Sequence, residues 1–266
     1  MDTNLINVDP LKLYFGDDFA INDKIIIHQP SIGEVASYGE QAYFGMAHTI
    51  CSIPSDMKSQ LWDMNIDWME ISDFQLFILL CKTLPVERTR ILFGDLDFSE
   101  LKLYPHPDIE DAVILANKET GVRIDEYIYM KMIEYVRRMH GFTKKVERAK
   151  NKMTKKILIQ EDRDRIARNA KKSYESYLLP LVSSVQARLG YTKEYIRNMG
   201  LCEFTDIVSR LQIIVNSDAL LHGMYGGMID TKKINKNELN WMREITHDSG
   251  PRGIVLNEGS QSASSI

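Results

Sequence analysis

Few side chains in this sequence have the types and the spacing that metal binding requires. His48 and Cys51 stand three residues apart in a stretch with helical periodicity, so both could face one metal ion. A zinc site needs at least three protein ligands, and no second pair with matching spacing is present. The alternative is a buried cysteine beside a partly buried histidine. The sequence favours that alternative and predicts no metal site.

Other acidic and nucleophilic patterns are equally incomplete. Asp95, Asp97 and Ser99 resemble the start of a calcium loop, but the glycine at its sixth position and the glutamate at its twelfth are missing. Asp162 and Asp164 alternate with arginines, which is typical of a salt-bridged solvent face. No nucleophile elbow, Walker loop or dinucleotide fingerprint is present. We therefore expect a protein that is not an enzyme and has no catalytic residues and no cofactor.

The strongest chemical signal is a basic stretch from Arg137 to Lys172. It contains fourteen Lys or Arg and four Asp or Glu, a local net charge of +10 in a chain whose total is −4. The remaining residues therefore carry −14. The candidate basic surface within the stretch consists of Lys144, Lys145, Arg148, Lys152, Lys155 and Lys156.

Three interpretations of the basic stretch remain open. It could be a solvated helical connector between two folded parts, a surface for an acidic protein, or a surface that neutralises phosphates. No aromatic residue lies between Thr143 and Ser173, which argues against stacking on single-stranded bases. As a connector, the segment is expected to make few contacts with either side.

Before the basic stretch, the sequence predicts an α+β domain. Ser31 and Glu34 form a capping box that starts a helix running to about Ile50. Asp73–Leu84 is apolar nearly all round, as in a core helix. A further helix covers Asp125–His140. Short β-type segments predict a minor antiparallel sheet: Arg90–Gly94, Leu101–Tyr104, Ala112–Ala116 and Val122–Ile124.

After the basic stretch, helical periodicity dominates. An apolar stripe runs from Leu178 to Leu189, Glu203–Tyr225 is the longest periodic segment, and Asn237–Ile245 predicts a final short helix. The predicted fold class is mainly α. The predicted division is an α+β domain at 1–141, a helical connector at 142–172, an all-α domain at 173–247 and a disordered tail at 248–266.

Composition limits the class of protein. The three cysteines are far apart and odd in number, which indicates a reducing compartment and no disulfide framework. The N-terminus lacks the basic and apolar regions of a signal peptide, and no apolar run is long enough for a membrane span. A pI near 5.9 argues against a general nucleic-acid coat. The sequence predicts a cytosolic protein that does not associate with membranes.

Several phrases of the sequence resemble the tail assembly chaperones of long-tailed bacteriophages, especially those that infect Gram-positive hosts. The resemblance spans about residues 20–245 and is carried by Ile27–Glu34, Asp67–Phe77, Leu92–Phe98, Val146–Lys150, His222–Asp230 and Asn240–Met242. It implies a non-enzymatic protein of the host cytoplasm that binds the tape-measure protein and recruits tail-tube subunits. Self-association is also possible in such a role. In that family a short form holds only the N-terminal domain, and a frameshifted long form adds a C-terminal part that binds the tail tube. The order of this chain, with a charged segment between two folded parts, resembles the long form.

A chaperone for a long amphipathic helix needs an adaptable apolar surface, and methionines can supply one. The candidate partner-binding residues surround two tryptophans, and the alternative is that they fill the core: Met57, Trp62, Met64, Trp68 and Met69. Two other functions remain open: a virion structural or connector component, and a nucleic-acid-binding phage factor that acts through residues 137–172.

Overall fold

The computed structural model describes residues 8–227 and 234–245, and the chain in these ranges is mainly helical. The helices are α1 (Pro10–Phe15), α2 (Ile32–Tyr38), α3 (Glu40–Cys51), α4 (Lys58–Asp63), α5 (Asp73–Leu80), α6 (Val86–Phe93), α7 (Glu126–His140), α8 (Lys152–Asn169), α9 (Leu178–Leu189), α10 (Lys193–Asn198) and α11 (Leu201–Tyr225). The strands are β1 (Phe19–Ala20), β2 (Ile26–Ile27), β3 (Lys102–Pro105), β4 (Val113–Asn117) and β5 (Val122–Ile124). This confirms the predicted fold class, including the minor antiparallel sheet and the helical C-terminal part. No helix in the described ranges has the length and apolarity needed to cross a bilayer.

Local capping explains where most helices begin. The Glu34 side chain accepts a hydrogen bond from the Ser31 N–H at 2.7 Å, and Ser31 Oγ accepts one from the Glu34 N–H at 3.2 Å. The helix predicted from Ser31 to Ile50 is nevertheless two helices, α2 and α3. Gly39, whose φ of +100° favours glycine, separates them.

Two element predictions were wrong. Arg90–Gly94 was predicted as a strand but lies at the end of α6, where Leu92 and Phe93 are buried on one helical face. Gly94, at a φ of +58°, ends that helix. The final helix predicted at Asn237–Ile245 is only a 3₁₀ turn at Lys236–Leu239. In both places a short apolar run did not distinguish helix, strand and turn.

The three-stranded sheet has the order β3-β4-β5, antiparallel throughout. Leu115 of β4 lies opposite Leu103 on one side and Ile124 on the other. Leu115 and Ile124 are buried in the main core, whereas Leu103 is exposed. The sheet therefore covers one side of the helical core and leaves its outer strand accessible.

One hydrophobic cluster contains buried side chains from both sides of the basic stretch. Phe44, Phe77 and Met132 come from the N-terminal side, and Val185 and Phe204 come from the C-terminal side. The domain bounds 1–141, 142–172 and 173–247 stay a prediction, but the two outer parts share one buried core. The tail predicted at 248–266 lies outside the described residues.

The predicted connector is helical over α8, but the expectation that it makes few contacts is wrong. Ile159 is buried in a second cluster with Leu61, Trp68 and Leu76. Asp162 is also buried, and its Oδ2 accepts hydrogen bonds from Ser59 N at 3.0 Å and Ser59 Oγ at 2.7 Å. The basic stretch is therefore packed along α4, an outcome of long-range contacts that its charged composition did not reveal.

A buried histidine joins α3 to α7 inside the main core. His140 Nδ1 donates to the Val136 carbonyl at 2.7 Å, so Nε2 accepts the hydrogen bond from the Tyr43 hydroxyl, also at 2.7 Å. Burial lowers the pKa of His140 to about 4. The folded protein thus holds this imidazole neutral.

We predict that His140 makes the protein acid-sensitive below about pH 6.5. In the unfolded chain a histidine has a pKa of about 6.5, so between about pH 6.5 and 4 only the unfolded state gains this proton. The free energy of unfolding should fall by up to about 3 kcal/mol across that window. Denaturant unfolding at pH 7 and pH 5 measures it.

The variant His140→Gln should lower stability at pH 7 but remove most of the additional loss at pH 5. His222→Gln, on the exposed surface of α11, is the matched control and should retain the loss seen in the native chain. An equal pH dependence in the native chain and the His140 variant would contradict this assignment.

Candidate functional site

An apolar groove of about 480 Å³ lies where α2, α9 and α10 meet. Its lining combines six apolar residues with Glu40, Ser176, Ser183, Gln186 and two cations. The six apolar residues are Ile32, Ala36, Leu178, Leu179, Val182 and Ile196. Leu179 is 68% exposed, although it is a large apolar side chain. Lys193 and Arg197 stand one helical turn apart on α10 and place two cations at the rim. The groove thus combines an accessible apolar surface with a positive edge.

Gly33 sets the distance between two walls of the groove. A β-carbon at this position would lie 2.9 Å from the Arg197 carbonyl oxygen, which is part of the backbone of α10. Only glycine therefore lets α2 approach α10 this closely. The capping box at Ser31 fixes the start of α2, so Gly33 is presented to α10 on the first turn.

Backbone hydrogen bonds continue this contact on the N-terminal side of Gly33. The Ile32 N–H donates to the Met199 carbonyl at 2.9 Å, and the Leu201 N–H donates to the Pro30 carbonyl at 3.0 Å. We call this contact between residues 29–33 and 197–202 the junction. It joins the sequence before the basic stretch directly to the sequence after it.

Gln29 adds side-chain bonds to the junction. Its Nε2 donates to the Leu13 carbonyl at 2.8 Å, and its Oε1 accepts from the Cys202 N–H at 3.3 Å. A β-carbon on Gly200 would lie 2.7 Å from that Oε1. The amide of Gln29 therefore occupies the space that the missing side chain of Gly200 leaves.

Glu40 fixes the third wall of the groove. Its carboxylate accepts hydrogen bonds from Ser176 Oγ at 2.6 Å and from the Leu178 N–H at 2.7 Å. Leu178 is the first residue of α9, so Glu40 satisfies a free N–H at that helix end. Partial burial and the hydrogen bond to Glu40 raise the pKa of Tyr174 to about 12.

The candidate partner-binding residues lie elsewhere, around α4 and under α8. Trp68 is buried, Met57 is half-buried, and Trp62, Met64 and Met69 are exposed. Lys155 Nζ stands 5.4 Å from the ring centre of Trp62 and 5.1 Å from that of Trp68. The groove and this Trp–Met group are therefore separate surfaces, and α8 already covers part of the second.

The candidate basic surface contains cations with and without an acidic partner. Lys144 pairs with Asp73 at 2.6 Å, Lys145 lies 3.9 Å from Glu147, and Lys155 pairs with Asp67. Burial tends to raise the pKa of Asp67, but hydrogen bonds from Lys155 and Met69 N–H lower it overall. Arg148, Lys152 and Lys156 are exposed, and within the described ranges they form no ion pair. Of the six cations, Lys155 is the one that is largely buried, whereas Lys144 and Lys145 are paired but remain exposed.

Ser55 and Lys58 were not singled out in the sequence, although they have the Ser-x-x-Lys spacing of some serine hydrolases. Lys58 Nζ donates to the Ser55 carbonyl and to Glu147 Oε2, both at 2.7 Å. Ser55 Oγ accepts from the Glu147 N–H at 3.0 Å. The lysine is therefore paired with a carboxylate, and both residues anchor the chain that leads into α8.

The residues considered in the sequence as metal or calcium ligands have structural roles. His48 stacks on Phe142 with ring centres 4.4 Å apart, and burial raises the pKa of the Cys51 thiol to about 12. Asp97 Oδ1 accepts bonds from the N–H and the hydroxyl of Ser99, which closes a turn. In the described part of the chain, no group of three or more His, Cys, Asp or Glu side chains could hold a metal ion.

Comparison with known proteins adds no identification. No protein-family model matches the sequence, and comparisons with curated proteins and with solved structures give no significant match.

We predict that Gly33→Ala destabilises the protein by about 1–3 kcal/mol, because the added methyl group presses on backbone and forces α2 away from α10. Gly45→Ala in α3 is the matched control, since its β-carbon would meet no atom within 4 Å. Alanine there should stabilise by about 0.5–1 kcal/mol, as in an ordinary helix interior. Thermal or denaturant unfolding of both variants measures the difference. Equal effects of the two substitutions would show that the close approach at Gly33 has no energetic role.

Proposed function

We propose that this protein is a non-enzymatic tail assembly chaperone of a long-tailed bacteriophage. In this role it acts in the host cytoplasm, binds the tape-measure protein and recruits tail-tube subunits around it. The observation that supports the proposal best is the apolar groove between α2, α9 and α10. The phrase Ile27–Glu34, which carries part of the family resemblance, supplies the capped start of one wall.

The groove suits the apolar face of a partner helix. An amphipathic helix binds a hydrophobic groove by placing side chains from successive turns into it, and each leucine-sized side chain that it buries contributes about 1.5–3 kcal/mol. Ile32, Leu179 and Val182 supply the apolar contacts. Lys193 and Arg197 at the rim favour acidic residues beside the apolar stripe of the partner.

A binding role also agrees with the state of the polar residues. Lys58 is engaged by Glu147, and His140 is neutral and enclosed between Tyr43 and Val136. These groups stabilise the fold and do not line the groove. The proposed activity therefore rests on shape, apolar contact and charge.

We predict that Leu179→Glu weakens the complex with the tape-measure protein at least about tenfold, because it places a carboxylate on the apolar surface. The measurement is co-expression of the full chain with the tape-measure protein of the same genome, followed by co-purification and titration. The native chain should raise the soluble yield of its partner.

Leu11→Glu is the matched control, since Leu11 is a helical leucine that is 64% exposed on α1 and outside the groove. It should leave the complex unchanged. The proposal is wrong if the native chain gives no complex, or if Leu179→Glu binds as well as Leu11→Glu. A protein that stays in purified virions would instead be a structural component.

A further inference from the structure

The first two turns of α8 present two parallel pairs of side chains to solvent. Lys152 and Lys156 form one pair, and Met153 and Ile157 form the other, each separated by one helical turn. Met153 is 74% exposed and Ile157 is 48% exposed. We call these four residues the basic apolar face. An apolar pair this accessible, beside two lysines on a helix that is anchored through Ile159 and Asp162, suggests a second contact surface.

The rest of α8 holds this face outward. Lys155 binds Asp67 and lies over two tryptophan rings, and Ile159 is buried against α4. Asn151 Oδ1 accepts a hydrogen bond from the Thr154 N–H at 2.8 Å and so fixes the helix start. Because Lys155 and Ile159 are anchored, Met153 and Ile157 face away from the fold in a fixed orientation, with Lys152 and Lys156 on the flank of the helix.

The charge around this face is not neutralised by the fold. Asp73, Asp67, Asp63 and Asp162 form ion pairs with other cations of the basic stretch: Lys144, Lys155, Arg163 and Arg165. Arg148, Lys150, Lys152 and Lys156 are exposed, and in the part of the chain that the structure describes they form no ion pair. Lys152 and Lys156 thus lie beside the two apolar side chains on α8, Arg148 and Lys150 lie in the segment just before the helix, and the exposed Glu161 follows Ile157 by one turn.

We infer that the basic apolar face docks an acidic amphipathic segment of a partner protein. Carboxylates of the partner pair with Lys152 and Lys156, while its apolar residues cover Met153 and Ile157. A nucleic acid would leave the apolar pair against phosphates, and the segment offers no aromatic ring for base stacking. This inference does not depend on the proposed function, because the groove is built from other helices.

The test is fluorescence anisotropy with the full chain and a labelled helical peptide that carries glutamates at i and i+4 beside leucines at i+1 and i+5. We expect saturable binding of the peptide to the native chain. Binding should weaken about tenfold in the double variant Lys152→Glu/Lys156→Glu, and also about tenfold in the separate double variant Met153→Gln/Ile157→Gln. Lys24→Glu/Lys102→Glu makes the same charge change outside α8 and should bind as the native chain does. All substituted side chains are exposed, and circular dichroism checks that each variant folds.

Three outcomes would overturn the inference. The first is that the native chain does not bind the peptide. The second is that the Met153/Ile157 variant binds the peptide as tightly as the native chain, which would show that only general charge attraction is at work. The third is that a duplex or single-stranded oligonucleotide displaces the peptide and binds the chain more tightly than the peptide does. That result would assign the face to nucleic acid.

Discussion

At the junction two backbones approach so closely that the sequence before the basic stretch is joined directly to the sequence after it. Gly33 and Gly200 each lack a β-carbon where one would collide with Arg197 or Gln29. Hydrogen bonds between Ile32 and Met199 and between Leu201 and Pro30 then join segments that are far apart in sequence. The same contact brings α2 beside α10 and thereby forms two walls of the groove. Stability and the proposed binding surface thus share one physical origin.

The basic stretch has a different role from the one that its composition suggested. Buried Asp162 and the ion pair of Lys155 with Asp67 hold α8 along α4, where Ile159 completes a small apolar cluster. The charged helix α8 is thus packed on the fold, and several cations of the basic stretch form ion pairs with aspartates outside it. Exposed cations occur along the whole stretch, and Lys152 and Lys156 are the two beside Met153 and Ile157 on α8. The buried side chain of Ile159 and the exposed side chains of Met153 and Ile157 thus lie on opposite sides of one helix.

Local signals were sufficient to predict much of the fold. The capping box at Ser31, the glycine after His140 and the apolar run Ala112–Ala116 each act over a few residues, and the structure follows them. Arg90–Gly94 was wrong because tertiary packing gave a β-like run a helical conformation. The groove was not predicted, since Leu179 lies outside the apolar stripe formed by Leu178, Val182 and Val185 and is exposed. Whether such a side chain lines a groove, and the need for glycine at 33 and 200, depend on which helix packs opposite.

The most direct test of this account is native-state hydrogen exchange at the junction amides of the full chain. If the junction unites both parts in one cooperative core, the Ile32 and Leu201 amides should open with the same free energy as core amides of α3 and α11. Their opening should also show the same denaturant dependence as global unfolding. Much faster exchange at Ile32 and Leu201, with different opening free energies in α3 and α11, would contradict it. The two parts would then be separate units that only touch at the junction.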